Sequence, residues 1–204
     1  METEDENKNK FCCDLKIHSI RHKINVEYYE SLFSDEVNDK IFRRLEKTVK
    51  WTTKPSNGRR CSQTYGDDGL SYEVMYRDKI IERVAQSWND VKCLIILKEL
   101  AEEITGERFN FCVVQRYSNG NVGINPHKDR EIKEGNSICG FSFGATRTLR
   151  LGAPKFLSVE DMTLSLKPGS LYIMKGSTNK YWTHEIVKDP SIKTPRISLT
   201  FRRF

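Results

Sequence analysis

The spacing of apolar and polar positions changes near Gly106, from a helical period before it to a strand period after it. Ser34 is placed to cap a helix over about Asp35 to Lys47, with Asp35 and Glu36 in the first turn where the dipole favours acids. Val37, Ile41 and Leu45 recur every four residues and predict its buried stripe. The stretch from Lys54 to Gly69 holds Pro55, Asn57, Gly58, Gly66 and Gly69 and reads as loop-rich. A longer helix is expected over about Lys79 to Ile104, where Val84, Trp88, Val91, Ile95 and Leu100 fall near helical spacing. Gly106 lies just past its end, at the left-handed cap position.

After Gly106 come short segments rich in β-branched and aromatic residues, separated by Gly, Pro, Asn and Asp. They are Phe109 to Tyr117, Ser137 to Phe143, Thr148 to Leu151, Met162 to Leu166, Ser170 to Met174, His184 to Val187 and Arg196 to Phe201. Such strands with turn punctuation predict a sandwich, barrel or double-stranded β-helix. The expected class is α+β, with helices first and an all-β core second. No repeat and no long linker divides residues 11–204, so they are expected to form one domain.

The last strand is patterned for chemistry. Alternation puts Arg196, Ser198, Thr200 and Arg202 on one face and Ile197, Leu199 and Phe201 on the other. Two cations on an inner face need an anionic partner to offset their desolvation. An exposed sheet face is the alternative for this strand taken alone. Gln115 and Tyr117 share a face of an earlier strand. His127 and Asp129 are two apart, so an extended segment presents both to one side, and His184 must arrive from elsewhere in the fold. Two histidines and a carboxylate are the ligand set of a non-haem Fe(II) oxygenase. The arginines suit a dicarboxylate, which a guanidinium binds in forked, charge-assisted geometry. His18 and His22 have no carboxylate at ligand spacing.

Composition narrows the setting. The 204 residues are 30% charged, the mean hydropathy is −0.61, and no apolar run approaches the length of a membrane span. Met1 to Lys10 is almost wholly polar, lacks the apolar run of a secretory signal, and is expected to be a disordered tail. The six cysteines form no CxxC pair and are expected to be reduced thiols in an intracellular protein. Of the net charge of +6, a concentration falls between Arg43 and Arg60, with seven basic residues against Glu46 and with Trp51 embedded. That suits phosphate contacts and an aromatic wedge, or else a solvated helix end and loop.

Several motifs together resemble the AlkB family of Fe(II)/2-oxoglutarate dioxygenases. They are TYGDDGLSY from Thr64 to Tyr72, Phe109-Asn110-Phe111, Arg116-Tyr117, His127-Lys128-Asp129, SFGA from Ser142, PGSL from Pro168, Thr183-His184, and PRISLTFR from Pro195 to Arg202. The resemblance implies a double-stranded β-helix (jelly roll) over about 107–204, carrying a nucleotide-recognition lid within about 11–106. It implies Fe(II) held by His127, Asp129 and His184. It also implies 2-oxoglutarate held by Arg196 and Arg202 with Tyr117, Thr200 and Gln115, with O2 as the other co-substrate. Glu131 would recognise the damaged base, Tyr72 and Val74 would lie at the base pocket, and Arg60 and Trp51 would lie near the nucleic acid. Gln115 stands where the family usually has Asn. Val74 stands where its duplex-DNA branch has a stacking Phe, a contact worth about 1–3 kcal/mol per base.

The implied activity is oxidative demethylation of 1-methyladenine and 3-methylcytosine in DNA, releasing formaldehyde, succinate and CO2. The same chemistry on RNA or single-stranded DNA, or a non-catalytic nucleic-acid-binding module, are the other readings. A monomer is expected, in the nucleus rather than the cytoplasm if the host is eukaryotic.

Overall fold

The computed structural model describes residues 15–51, 60–76, 79–129, 132 and 135–204, with the backbone alone at 15–21 and 74–76. The expected tail, Cys12, Cys13, Lys54, Arg59 and Glu131 lie outside the described residues. The chain opens with strands β1 (Leu15–Arg21) and β2 (Ile24–Tyr29), then helix α1 (Asp35–Thr48). Strands β3 (Cys61–Gly66), β4 (Ser71–Tyr76), β5 (Lys79–Val84) and β6 (Gln86–Ser87) follow, then a 3-10 turn (Trp88–Asp90) and helix α2 (Lys92–Thr105). The second half holds β7 (Phe111–Tyr117), β8 (Ile124–His127), β9 (Gly135–Gly144), β10 (Arg147–Gly152), β11 (Met162–Leu166) and β12 (Ser170–Gly176). Short helix α3 (Thr178–Tyr181), β13 (Thr183–Ile186) and β14 (Arg196–Arg202) complete it.

An eight-stranded sheet in the order β1-β2-β12-β9-β14-β7-β3-β6 faces a four-stranded sheet in the order β11-β10-β13-β8. This is the expected jelly roll. Each face of the large sheet buries its own apolar set. Ile197, Leu199 and Phe201 of β14 pack with Leu45, Leu94, Leu97 and Leu100 of the helices. Between the two sheets lie Tyr117, Ile138, Leu149, Leu151, Leu164, Tyr172 and Ile186. Every residue of β14 is therefore buried, and the exposed-face alternative for its arginines is excluded.

Local rules account for the helix ends. Ser34 Oγ accepts the Val37 N–H, and Gly106 ends α2 at φ 70° with its N–H donating to Glu102 O. The stripe on α1 is a correction. Val37 is 39% exposed, and Asn38 faces inward beside Leu45. The helix turns this way because the Asn38 amide donates to the carbonyls of Phe33 and Pro168, at 3.3 and 3.4 Å.

The long helix over Lys79 to Ile104 is also corrected. Its first part is β5, paired antiparallel with β4, and helix begins only at Lys92. Ser87 Oγ accepts from Asn89 N and caps the 3-10 turn, which breaks the run. The apparent helical period was spread across a strand, a turn and a helix. Nor do helices simply come first, because β1, β2, β3 and β6 all join the large sheet. Part of the region read as loop, Cys61–Gly66, is a strand on β7.

Glu102 ties the end of α2 to the start of the β core. Its carboxylate accepts from the Phe109 N–H and from Arg108 and Lys98, each at 2.9 Å. Burial works to raise its pKa, and the Phe109 N–H with the two cations outweighs burial, so the net shift is downward from 4.5. A depressed folded-state pKa contributes stability above the unfolded value and loses it as pH falls through the folded one. Glu102→Ala should therefore destabilise by about 2 kcal/mol near neutral pH. Urea titrations should show the gap to wild type shrinking below pH 4.5.

Candidate active site

The small sheet brings the two histidines together. His184 on β13 is the direct cross-strand partner of His127 on β8, and their ring centroids are 4.2 Å apart. Asp129 follows just beyond β8. His127 Nε2 lies 3.6 Å from Asp129 Oδ1, and His184 Nε2 lies 3.8 Å from Asp129 Oδ2. One ligand atom from each residue falls within 4.8 Å of the others. His127 Nδ1 is 2.9 Å from the carbonyl of Asn125, which as acceptor holds a proton on Nδ1 and leaves Nε2 for a metal. Asn179 grips the backbone of Asp129 from both sides. Its Oδ1 accepts from Asp129 N at 2.9 Å, and its Nδ2 donates to Asp129 O at 2.7 Å.

The large sheet supplies the cations. Arg202 Nη2 lies 2.7 Å from Asp129 Oδ2, an ion pair that links the last strand to the histidine cluster. Arg196 lies at the other end of β14, opposite Tyr117 of β7 and Gly144 of β9. Its Nε donates to Ser142 Oγ at 2.7 Å, and its guanidinium sits 5.2 Å from the centre of the Tyr117 ring. Burial pushes the Arg196 pKa down, against the attraction of the Tyr117 and Tyr172 phenols. Among the described residues its two terminal nitrogens make no hydrogen bond and no acid pairs with it. A fully buried cation in that state is suited to an incoming carboxylate. Thr200 lies between the arginines on the same face. The Tyr117 hydroxyl donates to Gln115 Oε1 at 2.9 Å, leaving the Gln115 NH2 as the amide's donor.

Arg147, on β10, frames the pocket from the side. It donates to the carbonyls of Val122 and Val187, both at 2.8 Å, and to that of Asn119 at 3.2 Å. It therefore pins the loop that leads into β8 and His127. Its guanidinium is also 5.7 Å from the Tyr117 ring centre. Burial lowers the Arg147 pKa, and the nearby charge of Arg196 lowers it further. The pocket around Arg196 thus carries positive charge beyond what the fold neutralises.

The residues expected to face nucleic acid are more scattered. Tyr72 stands at the Arg202 end of β14, its hydroxyl 2.8 Å from Thr64 Oγ1 and its ring edge-on to Phe111, 5.0 Å between centroids. Val74 lies on β4 opposite Ile81, by its backbone. Arg60 is half-buried at the start of β3, with an enclosed Nη1 that finds no hydrogen-bond partner among the described residues. Trp51 is half-buried and packs on the helix-side core. Within the basic stretch, Arg43 pairs with Asp39 at 3.4 Å, while Glu46 is taken by Arg116 at 2.6 Å. Sequence reasoning gave no role to Asn179, Arg147, Ser142 or Tyr172. Only Ser142 carried a signal, as part of the SFGA motif.

The donor set suits iron. Two imidazoles and one carboxylate come within ligand distance of one another, and a buried guanidinium with no acid beside it among the described residues lies on the neighbouring sheet. Comparison with known proteins agrees. A family model for the 2OG-Fe(II) oxygenase superfamily matches residues 25–202. The chain is 34% identical over 197 residues to the DNA oxidative demethylase ALKBH2 of Mus musculus, covering 86% of this chain and 78% of that protein. It is 33% identical over 177 residues to the alpha-ketoglutarate-dependent dioxygenase alkB homolog 3 of Bos taurus, covering 80% of this chain and 60% of that one. A solved structure, that of OsALKBH1, superposes with a TM-score of 0.57 at 14% identity, over 92% of this chain and 99% of that one, a likeness of fold alone. The chain belongs to the 2OG-Fe(II) oxygenase superfamily and, within it, is an AlkB-family dioxygenase that uses Fe(II), 2-oxoglutarate and O2.

Proposed function

We propose that this protein is a DNA oxidative demethylase that restores N-methylated bases such as 1-methyladenine and 3-methylcytosine. The observation that carries the reading is the joining of the His127, Asp129 and His184 cluster, in which Asp129 and His184 are buried, to the cationic face of β14 through the Asp129–Arg202 ion pair. Bound iron with 2-oxoglutarate and O2 supplies the oxidant that hydroxylates an N-methyl group, with succinate and CO2 as co-products. The N–C bond of the hydroxymethyl group then breaks: its electron pair stays on the ring nitrogen, the hydroxyl proton is released, and formaldehyde leaves.

The protein's residues divide the work. His127 and His184 offer Nε2 and Asp129 a carboxylate oxygen, while Arg202 and Asn179 hold that carboxylate and its backbone in place. Arg196 receives a 2-oxoglutarate carboxylate beside Tyr117, Thr200 and Gln115. Tyr72 lines the base pocket, and Glu131 attracts a cationic methylated base. Residues of the basic stretch, Arg60 among them, grip phosphates, and Trp51 lies alongside the duplex. The names of the ALKBH2 relatives support DNA as the substrate. The reading takes the protein as a single-domain monomer, with residues within 11–106 forming the lid, acting in the nucleus of a eukaryotic host. Val74, a small aliphatic residue where stacking would help hold a flipped base, favours a second reading in which RNA or single-stranded DNA is the substrate.

Purified protein with Fe(II), ascorbate and 2-oxoglutarate should release formaldehyde from oligonucleotides bearing 1-methyladenine or 3-methylcytosine. No release from either lesion, in either strandedness, would sink the reading. Faster turnover on duplex DNA supports the first substrate, and faster turnover on RNA or single strands the second. His127→Ala and Asp129→Ala should each lower turnover by at least about a hundredfold and weaken Mn(II) binding by calorimetry. Asn179→Ala should weaken Mn(II) binding by about tenfold, a loss that Asn179→Asp, which keeps only the acceptor, does not fully restore.

A further inference from the structure

One buried titratable side chain in the pocket has no part in the proposed function. Tyr172, in the middle of β12, is 5% exposed and lies between the two sheets. Its cross-strand partner on β9 is Gly140, and the partner of Gly140 on β14 is Thr200. Tyr172, Gly140 and Thr200 therefore form one row across the inner face of the large sheet. The ring lies directly over the glycine. A Cβ built on Gly140 would meet Tyr172 Cε1 and Cζ at 2.2 Å and the phenol oxygen at 2.6 Å. No side chain fits there, so the absence of one at Gly140 lets the phenol reach from β12 across β9 toward β14.

Its destination is the middle of the cationic face. Thr200 sits between Ser198 and Arg202, with Arg196 beyond Ser198. Burial raises the phenol pKa to about 12, and the charges acting on it belong to Arg196, Asp129, Arg202 and Tyr117, in that order. Those four residues belong to the proposed co-substrate and metal sites. With its proton held at neutral pH, the phenol is available as a hydrogen-bond donor in a pocket whose other donors are guanidinium, hydroxyl and amide groups.

We infer that Tyr172, admitted by Gly140, is a 2-oxoglutarate-binding residue whose phenol donates to the co-substrate carboxylate facing Arg196. The inference rests on the reading of this pocket as the 2-oxoglutarate site. It adds a neutral donor from β12 to the groups on β7 and β14, so three strands of one sheet grip the same ligand.

The test is calorimetric titration of the Mn(II)-loaded full chain with 2-oxoglutarate, without nucleic acid. Tyr172→Phe keeps the ring and removes only the hydroxyl. Its Kd should rise about tenfold or more, as expected for a lost bond to a charged group. Mn(II) affinity measured without 2-oxoglutarate and the thermal midpoint of the metal-free protein should stay unchanged. In turnover, KM for 2-oxoglutarate should rise with kcat held. Gly140→Ala, which displaces the ring, should weaken binding at least as much, and adding Tyr172→Phe to it should cost little more. A Kd for Tyr172→Phe within about twofold of wild type overturns the inference and leaves the site reading intact. Failure of the wild type to bind 2-oxoglutarate overturns both.

Discussion

Two guanidinium groups buried on the inner face of one strand set the terms for everything around them. Taking an ion out of water costs several kcal/mol even after the protein relaxes, so each must be offset. The structure meets this differently at the two ends of β14. Arg202 is partnered inside the fold by Asp129 at 2.7 Å. Arg196 has a hydroxyl and an aromatic face but no acid among the described residues. The first arrangement fixes a metal-ligand candidate before any metal arrives. The second leaves a charge that a dicarboxylate would neutralise, so co-substrate binding and fold stability are linked: a ligand that binds only the native state stabilises it by mass action.

The sandwich makes this asymmetry possible. The large sheet presents cations and the small sheet presents histidines, and Asp129, just past the edge strand β8, touches both sets. Arg147 and Asn179 hold that edge strand in register, one by gripping the loop before it and the other by gripping the backbone after it. Both are spent largely on backbone groups. Histidines on adjacent strands need such support, because a shift of one residue in β8 would turn His127 to the opposite face.

What could be read from the chain depended on how local its cause was. The faces of β14 were legible because alternation is a property of seven consecutive residues. The caps at Ser34 and Gly106 were legible because each is decided within one turn. The β4–β5 hairpin was not, since Lys79–Val84 becomes a strand only through its pairing with Ser71–Tyr76, and its spacing imitated a helix. Val37 was misread for a similar reason: Asn38 turns inward to satisfy Pro168, 130 residues away. The metal-ligand candidates were legible as types and as a resemblance. Arg147, Asn179 and Tyr172 were not, because an isolated Arg, Asn or Tyr carries no local mark of the long-range partner that gives it a role.

The order of groups along β14 also bears on how a substrate and a co-substrate share one chamber. At roughly 3.3 Å per residue, Arg196 and Arg202 are on the order of 20 Å apart along the strand. The Arg202 end adjoins Phe111, Tyr72 and the histidine cluster, whereas the Arg196 end adjoins Tyr117, Ser142 and Arg147. A base presented near Tyr72 and a carboxylate held at Arg196 would therefore approach from opposite ends and meet only near Asp129. The middle of the strand carries the small residues Ser198 and Thr200, and Gly140 and Tyr172 extend the Thr200 row across the sheet. Small side chains on β14 and none on β9 leave room above that row, which a phenol from β12 partly fills. The chamber is thereby narrowed at its centre by a polar group rather than an apolar one. On the proposed reading, a dicarboxylate lying along the strand would meet a hydroxyl donor at that centre rather than an apolar wall.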